Sequence, residues 1–152
     1  PELDLATLLR NGLLVCEAEL AATFGSALDA DDAVSKELGA LVKFAHTQSA
    51  VRLARAQAGL DDVQRACRHW FSQCDVLVSP TAPQTAFPHK QEAPATQACF
   101  TVLANVIGAP AISIPLPTGK GGLPVGLQMI AAPGDDATLL AVARAWEATL
   151  RR

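Results

Sequence analysis

The most reactive side chains in this sequence are four cysteines, Cys16, Cys67, Cys74 and Cys99. Zinc sites usually take thiolates from paired Cys-x-x-Cys spacings, and no such pair occurs; Cys67, His69 and Cys74 come nearest to a ligand set. A catalytic thiol needs a neighbouring base or positive charge that keeps it ionised. Most of these cysteines fall instead at apolar positions of predicted helices, where a thiol packs as a small hydrophobic group. We therefore expect reduced thiols, no metal site and no cysteine nucleophile.

Hydroxyl nucleophiles are the second candidates. Serine catalysis needs a hydroxyl within reach of a base, together with donors for the developing oxyanion. Ser79 and Ser113 lie at the ends of predicted strands and Lys120 lies in a turn, but no Gly-x-Ser-x-Gly motif accompanies them. His89 is the only histidine in a segment expected to line a cleft, and a lone loop histidine is more often a surface residue than a base. We predict no catalytic residue within this chain.

Two further segments resemble ligand sites only superficially. Asp29, Asp31 and Asp32 lack the distal bidentate carboxylate of a calcium loop, so they predict a solvated turn and a helix start. The glycines of residues 119–122 lack the Gly-x-x-x-x-Gly-Lys-Ser/Thr pattern of a phosphate loop and predict a hairpin turn. No cofactor is expected.

Charge argues against a nucleic-acid partner. The net charge is −3, from 12 basic and 15 acidic residues. The arginines of the best-defined predicted helix, Arg52, Arg55, Arg65 and Arg68, form one polar face that we interpret as solvated. Without a large positive field, binding to phosphates is not expected.

The periodicity of apolar residues predicts the elements that must position any site. Steps of three and four predict helices, short β-branched runs predict strands, and prolines between residues 80 and 94 predict a long irregular loop of the kind that is often functional. Helices are predicted over 4–24, 33–45, 48–72, 97–106 and from 135 onward, and strands over 75–79, 111–114 and 125–130.

Composition and element order together predict the fold class. Of the 152 residues, 50 % are hydrophobic and 18 % charged, which is typical of one folded domain, and no apolar run approaches the ~20 residues that span a membrane. Residues 1–74 are mainly helical, whereas residues 75–152 alternate strands with helices. We predict an α/β fold with helices packed on a small mixed β-sheet. Because three strands make a narrow sheet with two open edges, this sheet is expected to be a fragment of a wider one.

Three motifs carry a family resemblance: residues 75–83 (DVLVSPTAP), residues 101–115 (TVLANVIGAPAISIP) and residues 122–128 (GLPVGLQ). Their order, spacing and identity over about residues 45–150 resemble the C-terminal region of the amidase signature family of amide hydrolases. The residues before that range are compatible with the family but carry no motif of it. The resemblance implies a partial amidase signature fold.

The same resemblance implies hydrolysis of a carboxamide bond through a serine acyl-enzyme. The family's catalysts are a lysine, a bridging serine and a nucleophilic serine in a Gly/Ser-rich segment, all in the N-terminal part of its chain. No such segment exists between Pro1 and Arg152. Because Pro1 also stands directly before a helix pattern, we expect one C-terminal amidase region over residues 1–152, inactive alone, with Ser-Ser-Lys in a missing N-terminal part.

By resemblance, Thr81, Phe87, Thr101 and Asn105 are candidates for the substrate-pocket side of the complete enzyme. Each also has a structural interpretation: Thr101 as a helix cap, Asn105 as a loop bond to backbone, and Phe87 as a core side chain.

Three residues of the motifs are expected to be structural. Gly108 and Gly126 allow close backbone approach, and Gln128, inside a predicted strand, is expected to satisfy buried backbone groups.

Two alternatives remain open. The family includes the glutaminase subunit of glutamyl-tRNA amidotransferase, which typically carries an aspartate seven residues before the Asn of its Asn-x-x-Gly-x-Pro motif to bind the glutamine ammonium. Here that position is Ala98, which favours a general amidase of aliphatic, aryl or ureide-type amides. The other alternative is a non-catalytic binding or scaffold module. We expect a small-molecule amide as substrate, no nucleic-acid or membrane partner, a cytoplasmic location and room for a homo-oligomer.

Overall fold

The computed structural model describes residues 3–28, 35–118 and 122–150. Within them the chain forms five helices and three strands. In chain order these are α1 (Leu5–Leu28), α2 (Lys36–His46), α3 (Ala50–Phe71), β1 (Val76–Pro80), α4 (Val102–Ile107), β2 (Ala111–Leu116), β3 (Val125–Ala131) and α5 (Asp136–Leu150). The acidic segment 29–32 and Lys120 lie outside the described residues. None of the described helices is long and apolar enough to cross a membrane.

Side-chain caps determine where the first helices begin. Asp4 Oδ1 accepts hydrogen bonds of 3.1 Å from the backbone N–H groups of Ala6 and Thr7, which confirms the predicted start of α1. Ser35 Oγ accepts a hydrogen bond of 3.3 Å from Leu38 N–H at the start of α2. The predicted end of α1 at Gly25 is wrong: the helix continues to Leu28, because a glycine inside a helix costs only about 1 kcal/mol relative to alanine.

The described contacts divide the chain into two compact units, residues 1–9 with 63–152, and residues 10–62. In the unit of residues 10–62, the buried residues include Leu14, Ala21, Val42 and Ala56. The predicted single region over residues 1–152 stays a prediction.

A carboxylate is also buried in that smaller unit. Glu17 is only 9 % exposed, and burial raises the pKa of its carboxyl, an effect that the positive charge of Arg52 partly offsets. The Arg52 guanidinium donates to Gln48 Oε1 and stands 5.8 Å from the centre of the Phe44 ring. Arg52, Arg55, Arg65 and Arg68 are all exposed, as expected of a solvated face.

In the larger unit, the three strands form one sheet in the order β1-β3-β2. Both pairings are antiparallel, with Val78 opposite Met129 and Ile112 opposite the same residue. The α/β class is confirmed; the mixed pairing expected from the sequence does not occur among the described strands, because β3 runs opposite to both neighbours. Strands β1 and β2 are the sheet edges in the described part of the chain.

Helix α5 covers one face of the sheet. Leu139 and Ala143 of α5 pack with Ile114, Met129 and Ala131 of the strands, and all five are at most 5 % exposed. Alternation along β2 directs Ile114 to this core, which leaves Ser113 on the opposite face.

Helix α4 is shorter than predicted. Residues 94–101 form successive tight turns instead of helix, with Gln97 N–H bonded to Pro94 O and Cys99 N–H to Thr96 O. The predicted end at Gly108 is confirmed: this glycine has φ +64°, and Ala109 N–H then bonds Ala104 O at 3.0 Å. The close backbone approach predicted for Gly108 is wrong, because an added Cβ would meet no atom within 4 Å; the positive φ is what favours glycine here.

Candidate functional site

A cleft of about 680 Å³ opens on the sheet face away from α5, where β1 ends. The long loop that follows β1 forms one wall, and the other walls come from the turn before α4 and from β2 and β3. None of the described lining side chains carries a charge. The lining comprises residues 80–87, Gln97, Phe100, Ser113 and residues 124–126.

Two hydroxyl groups meet across the central strand on the floor of this cleft. Thr81 Oγ1 and Ser113 Oγ are 2.5 Å apart and share a hydrogen bond. They cross above Gly126, where an added Cβ would stand 2.5 Å from Ser113 Oγ and 2.6 Å from Thr81 Oγ1. Thr81 N–H also donates 2.9 Å to Gly126 O. Gly126 therefore permits the close approach of the two side chains, whereas the sequence predicted close approach of backbone at this glycine.

Two glutamines form a second polar pair in the lining. Gln84 lies in the loop after β1 and Gln97 in the turn before α4, and Gln84 Nε2 donates to Gln97 Oε1. The bond links the two segments that form opposite sides of the cleft. It leaves Gln84 Oε1 and Gln97 Nε2 without a hydrogen bond inside the described chain.

Gln128 supports the cleft from behind. Its side chain is 3 % exposed, and its Nε2 donates 2.9 Å to Phe100 O and 3.2 Å to Ser79 Oγ. The predicted role of Gln128 in satisfying buried backbone is confirmed. Because Phe100 lines the cleft, this amide ties the turn before α4 to the centre of the sheet.

The four predicted pocket-side residues do not converge on one cavity. Thr81 and Phe87 line the cleft. Asn105 is exposed and lines a second cavity of about 330 Å³ between the C-terminal half of α3 and α4. Thr101 lines neither of these two cavities. Its Oγ1 donates a hydrogen bond of 3.3 Å to Ala98 O. Contact of these four residues with a substrate stays a prediction.

Sequence reasoning considered Ser113 only as a nucleophile, and it did not predict Ser113, Gln84 or Gln97 as cleft residues. Ser113 alternates with Ile112 and Ile114 in β2, so period-two alternation already placed it on the face away from the apolar core. Gln84 and Gln97 carried no such signal, because their partnership depends on how two loops approach each other.

The second cavity holds a buried thiol. Cys67 is 2 % exposed, and burial raises the pKa of its thiol, so the protonated form dominates at neutral pH. The four cysteines are all free thiols. Across residues 3–28, 35–118 and 122–150, no group of three or more His, Cys, Asp or Glu residues is placed to hold a metal ion.

Comparison with known proteins places these features in a family. The Amidase family model matches residues 18–140. The A subunit of glutamyl-tRNA(Gln) amidotransferase from Myxococcus xanthus is 44 % identical over 82 residues, which are 51 % of this chain and 17 % of that protein. The corresponding protein of Oleidesulfovibrio alaskensis is 39 % identical over 99 residues, 61 % of this chain and 20 % of that protein. The chain therefore spans about a fifth of the length of these relatives.

Solved structures agree on the fold. A crystal structure of an amidase superposes with a TM-score of 0.85 at 22 % identity, over 98 % of this chain and 37 % of that one. The A subunit of glutamyl-tRNA(Gln) amidotransferase from Thermotoga maritima superposes with a TM-score of 0.61 at 23 % identity, over 87 % of this chain and 31 % of that one.

Proposed function

The chain belongs to the amidase family, and we propose that it forms the C-terminal part of an amidase that hydrolyses a carboxamide bond through a serine acyl-enzyme. The observation that carries the proposal is the neutral cleft, whose lining from Pro80 to Gly126 lies wholly inside the family match. A concave site with a few placed polar groups suits a small amide.

The described cleft supplies a wall and hydrogen-bonding groups, but no proton acceptor. Thr81 and Ser113 bond to each other, and the described lining holds neither lysine nor histidine. A hydroxyl without a base is a weak nucleophile. We therefore assign the Ser-Ser-Lys catalysts to a part of the protein outside these 152 residues, in keeping with the chain's coverage of about a fifth of its relatives.

In the proposed reaction, the serine oxygen attacks the amide carbon, the C–N bond breaks, and the amine leaves with a proton. Water then attacks the ester and releases the acid. Hydroxylamine in place of water gives a hydroxamate, which reports the acyl-enzyme directly.

The test compares the 152-residue chain with the protein encoded by the complete reading frame. We expect the complete protein to release ammonia from simple amides and to form hydroxamate, and the 152-residue chain to do neither above background. Turnover by the shorter chain, or a start codon close to Pro1, would refute the assignment of the catalysts to another part.

A second candidate is a glutaminase of the amidotransferase type, because the relatives named above carry that enzyme's name. In this chain Ala98 stands where that enzyme typically has an aspartate, and the described cleft lining holds no carboxylate. A buried ammonium without its partner loses about 2–5 kcal/mol. Glutamine should therefore be a poor substrate, and Ala98→Asp should improve its use. An unchanged rate with glutamine would remove this reason for preferring a general amidase.

The exposure of apolar residues at the sheet edge distinguishes a fragment of an amidase from a stand-alone, non-catalytic module. Val78 on the edge strand β1 is 49 % exposed, and an uncovered sheet edge promotes association. For the complete protein we propose a cytoplasmic location, a small-molecule amide as its partner, and no nucleic-acid or membrane partner. We also propose that it can form a homo-oligomer. A stable monomer of the 152-residue chain in size-exclusion chromatography, without binding of a hydrophobic dye, would favour the stand-alone module.

A further inference from the structure

Gln128 lies behind the cleft, on the sheet face away from α5. Its neighbours in β3, Leu127 and Met129, pack on the α5 side, so alternation along the strand turns Gln128 to the other face. The register places Ser79 opposite Gln128, and Gln128 Nε2 donates hydrogen bonds of 3.2 Å to Ser79 Oγ and 2.9 Å to Phe100 O. An amide NH₂ group has two protons to donate, and these two acceptors take both.

The two acceptors belong to different walls of the cleft. Phe100 lines the cleft from the turn before α4. Ser79 Oγ donates a hydrogen bond of 3.1 Å to Pro80 O, where the lining from the loop after β1 begins. Phe100 also lines a smaller cavity of about 270 Å³. Because a residue that borders two open spaces has fewer packed neighbours to hold it, the hydrogen bond at Phe100 O contributes more to its position.

Gln128 itself does not contact the interior of the cleft. It is 3 % exposed and is absent from the described lining, so it can act on a substrate only through the residues that it holds. We propose that Gln128 is a positioning residue for the amide hydrolysis proposed above: its two hydrogen bonds hold Phe100 and the Pro80–Thr81 segment in place and thereby set the affinity of the cleft for the amide substrate. The proposal rests on that proposed function.

Gln128→Glu and Gln128→Met in the complete protein separate the hydrogen bonds from the volume of the side chain. Both variants nearly keep that volume, but neither a carboxylate nor a thioether donates a hydrogen bond. The probe amides are acetamide, butanamide and benzamide. For the one that the wild type hydrolyses fastest, we expect each variant to raise KM about tenfold at about pH 8, the effect of one net hydrogen bond. We expect kcat to stay within about twofold, because a wall binds substrate and transition state alike.

The pH dependence of Q128E identifies the hydrogen bond as the cause. Burial raises the pKa of a carboxyl group, and the protonated carboxyl regains one O–H donor. Relative to the wild type at each pH, the KM of Q128E should fall from about tenfold at about pH 8 to about threefold or less at about pH 5. The KM of Q128M should stay about tenfold higher throughout. A constant ratio for Q128E, or a wild-type KM in both variants, overturns the role of Gln128.

Ser79→Ala tests the same bond from the acceptor side, and it applies even if substitution at Gln128 prevents folding. It removes one of the two acceptors and keeps the amide and its bond to Phe100 O. We expect KM to rise about threefold. Adding S79A to Q128M should raise KM no further, because both changes remove one interaction. An unchanged KM in S79A, or effects that multiply in the double variant, contradicts the proposal.

Met129→Val is the matched control for a purely structural effect. Met129 follows Gln128 in β3 and is fully buried against α5 on the opposite face. The substitution removes packing in that core, so it should lower the free energy of unfolding in urea denaturation and leave KM within about twofold of the wild type. A rise in KM as large as that of Q128M would show that loss of stability explains the effect, and it would overturn the positioning role.

Calorimetric binding of the three probe amides to the same preparations separates this proposal from the amidase proposal. Binding that is weaker in Q128M than in the wild type, without hydrolysis of any probe amide, supports the hold of Gln128 on the cleft walls and refutes amide hydrolysis. Hydrolysis by the wild type with an unchanged KM in the Gln128 variants overturns the positioning role and leaves the amidase proposal standing. Neither binding nor hydrolysis overturns both.

Discussion

Gly126→Ala is the substitution whose effect follows most directly from the geometry of the cleft. The new methyl carbon would stand 2.5 Å from Ser113 Oγ, 2.6 Å from Thr81 Oγ1 and 3.1 Å from Thr81 Cβ. The two distances to oxygen are far inside van der Waals contact, and the 3.1 Å distance requires Thr81 Cβ to shift by a few tenths of an ångström, which it cannot do without its backbone. The Thr81–Ser113 hydrogen bond must therefore break, or β3 must move away from the two segments that carry Thr81 and Ser113.

The loss of stability caused by Gly126→Ala can be estimated from three contributions. Overpacking costs about 1–3 kcal/mol, and loss of the hydroxyl bond costs about 0.5–1.5 kcal/mol. The reduced entropy of the unfolded chain returns about 0.4–1 kcal/mol. We expect the free energy of unfolding to fall by about 0.5–4 kcal/mol, centred near 2 kcal/mol, measured by urea denaturation of the purified protein with an unchanged denaturant slope.

Gly39→Ala is the matched control for this change. Gly39 lies inside α2, and a Cβ built there meets no atom within 4 Å. The same chemical change should raise stability there, by about 0.5–1 kcal/mol, because alanine favours a helix. The two substitutions should therefore have opposite signs.

Removal of the two hydroxyls tests the cause. In Thr81→Ala/Ser113→Ala/Gly126→Ala, only the 3.1 Å contact with the Cβ of residue 81 remains. Relative to the T81A/S113A background, adding the alanine at position 126 should cost less than half of what it costs in the wild type. A full cost in that background, or a single Gly126→Ala variant within about 0.5 kcal/mol of the wild type, would show that crowding above Gly126 is not what requires the glycine.

Three further outcomes follow from individual side chains. Gln128→Leu should lower the free energy of unfolding by about 1–3 kcal/mol, because it leaves Phe100 O without its 2.9 Å donor; a neutral result in denaturation would contradict that role. Gly108→Ala should cost about 1 kcal/mol despite open space around the Cβ, because φ is +64°, and Gly108→Asn should cost less if backbone strain is the cause. Glu17→Gln should stabilise the protein at pH 7: burial raises the folded-state pKa of Glu17, so the carboxyl's favourable contribution is complete at low pH and lost as the pH rises. Stability curves of the two proteins should converge near pH 4, and a constant gap across the range would refute the linkage.

Much of the fold could be predicted because its signals are local. Steps of three and four among apolar residues predicted α3 within two residues at each end, and the β-branched run at 75–79 predicted β1 within one. Local prediction failed where local preferences were nearly balanced. Gly25 did not end α1, and residues 97–101 formed turns before α4 although their composition favoured a helix.

The site was predictable only in part. The motif after β1 and Phe87 pointed to the cleft, whereas Asn105, equally prominent in its motif, lies at another cavity. A motif predicts that a residue matters, but the direction in which a six-residue helix presents it depends on the turns at both ends.

Three motifs predicted the family, and apolar periodicity over a few residues predicted the α/β class and most of the helices and strands, because these signals are local. Long-range contacts place β3 between β1 and β2, bring Thr81 to Ser113 across 32 residues of chain, and bring Gln84 to Gln97 across 13. The requirement for glycine at position 126 follows from the second of these contacts. These pairings depend on strand register and loop closure, whose free energies sum many distant contacts, so no short window of sequence contains them.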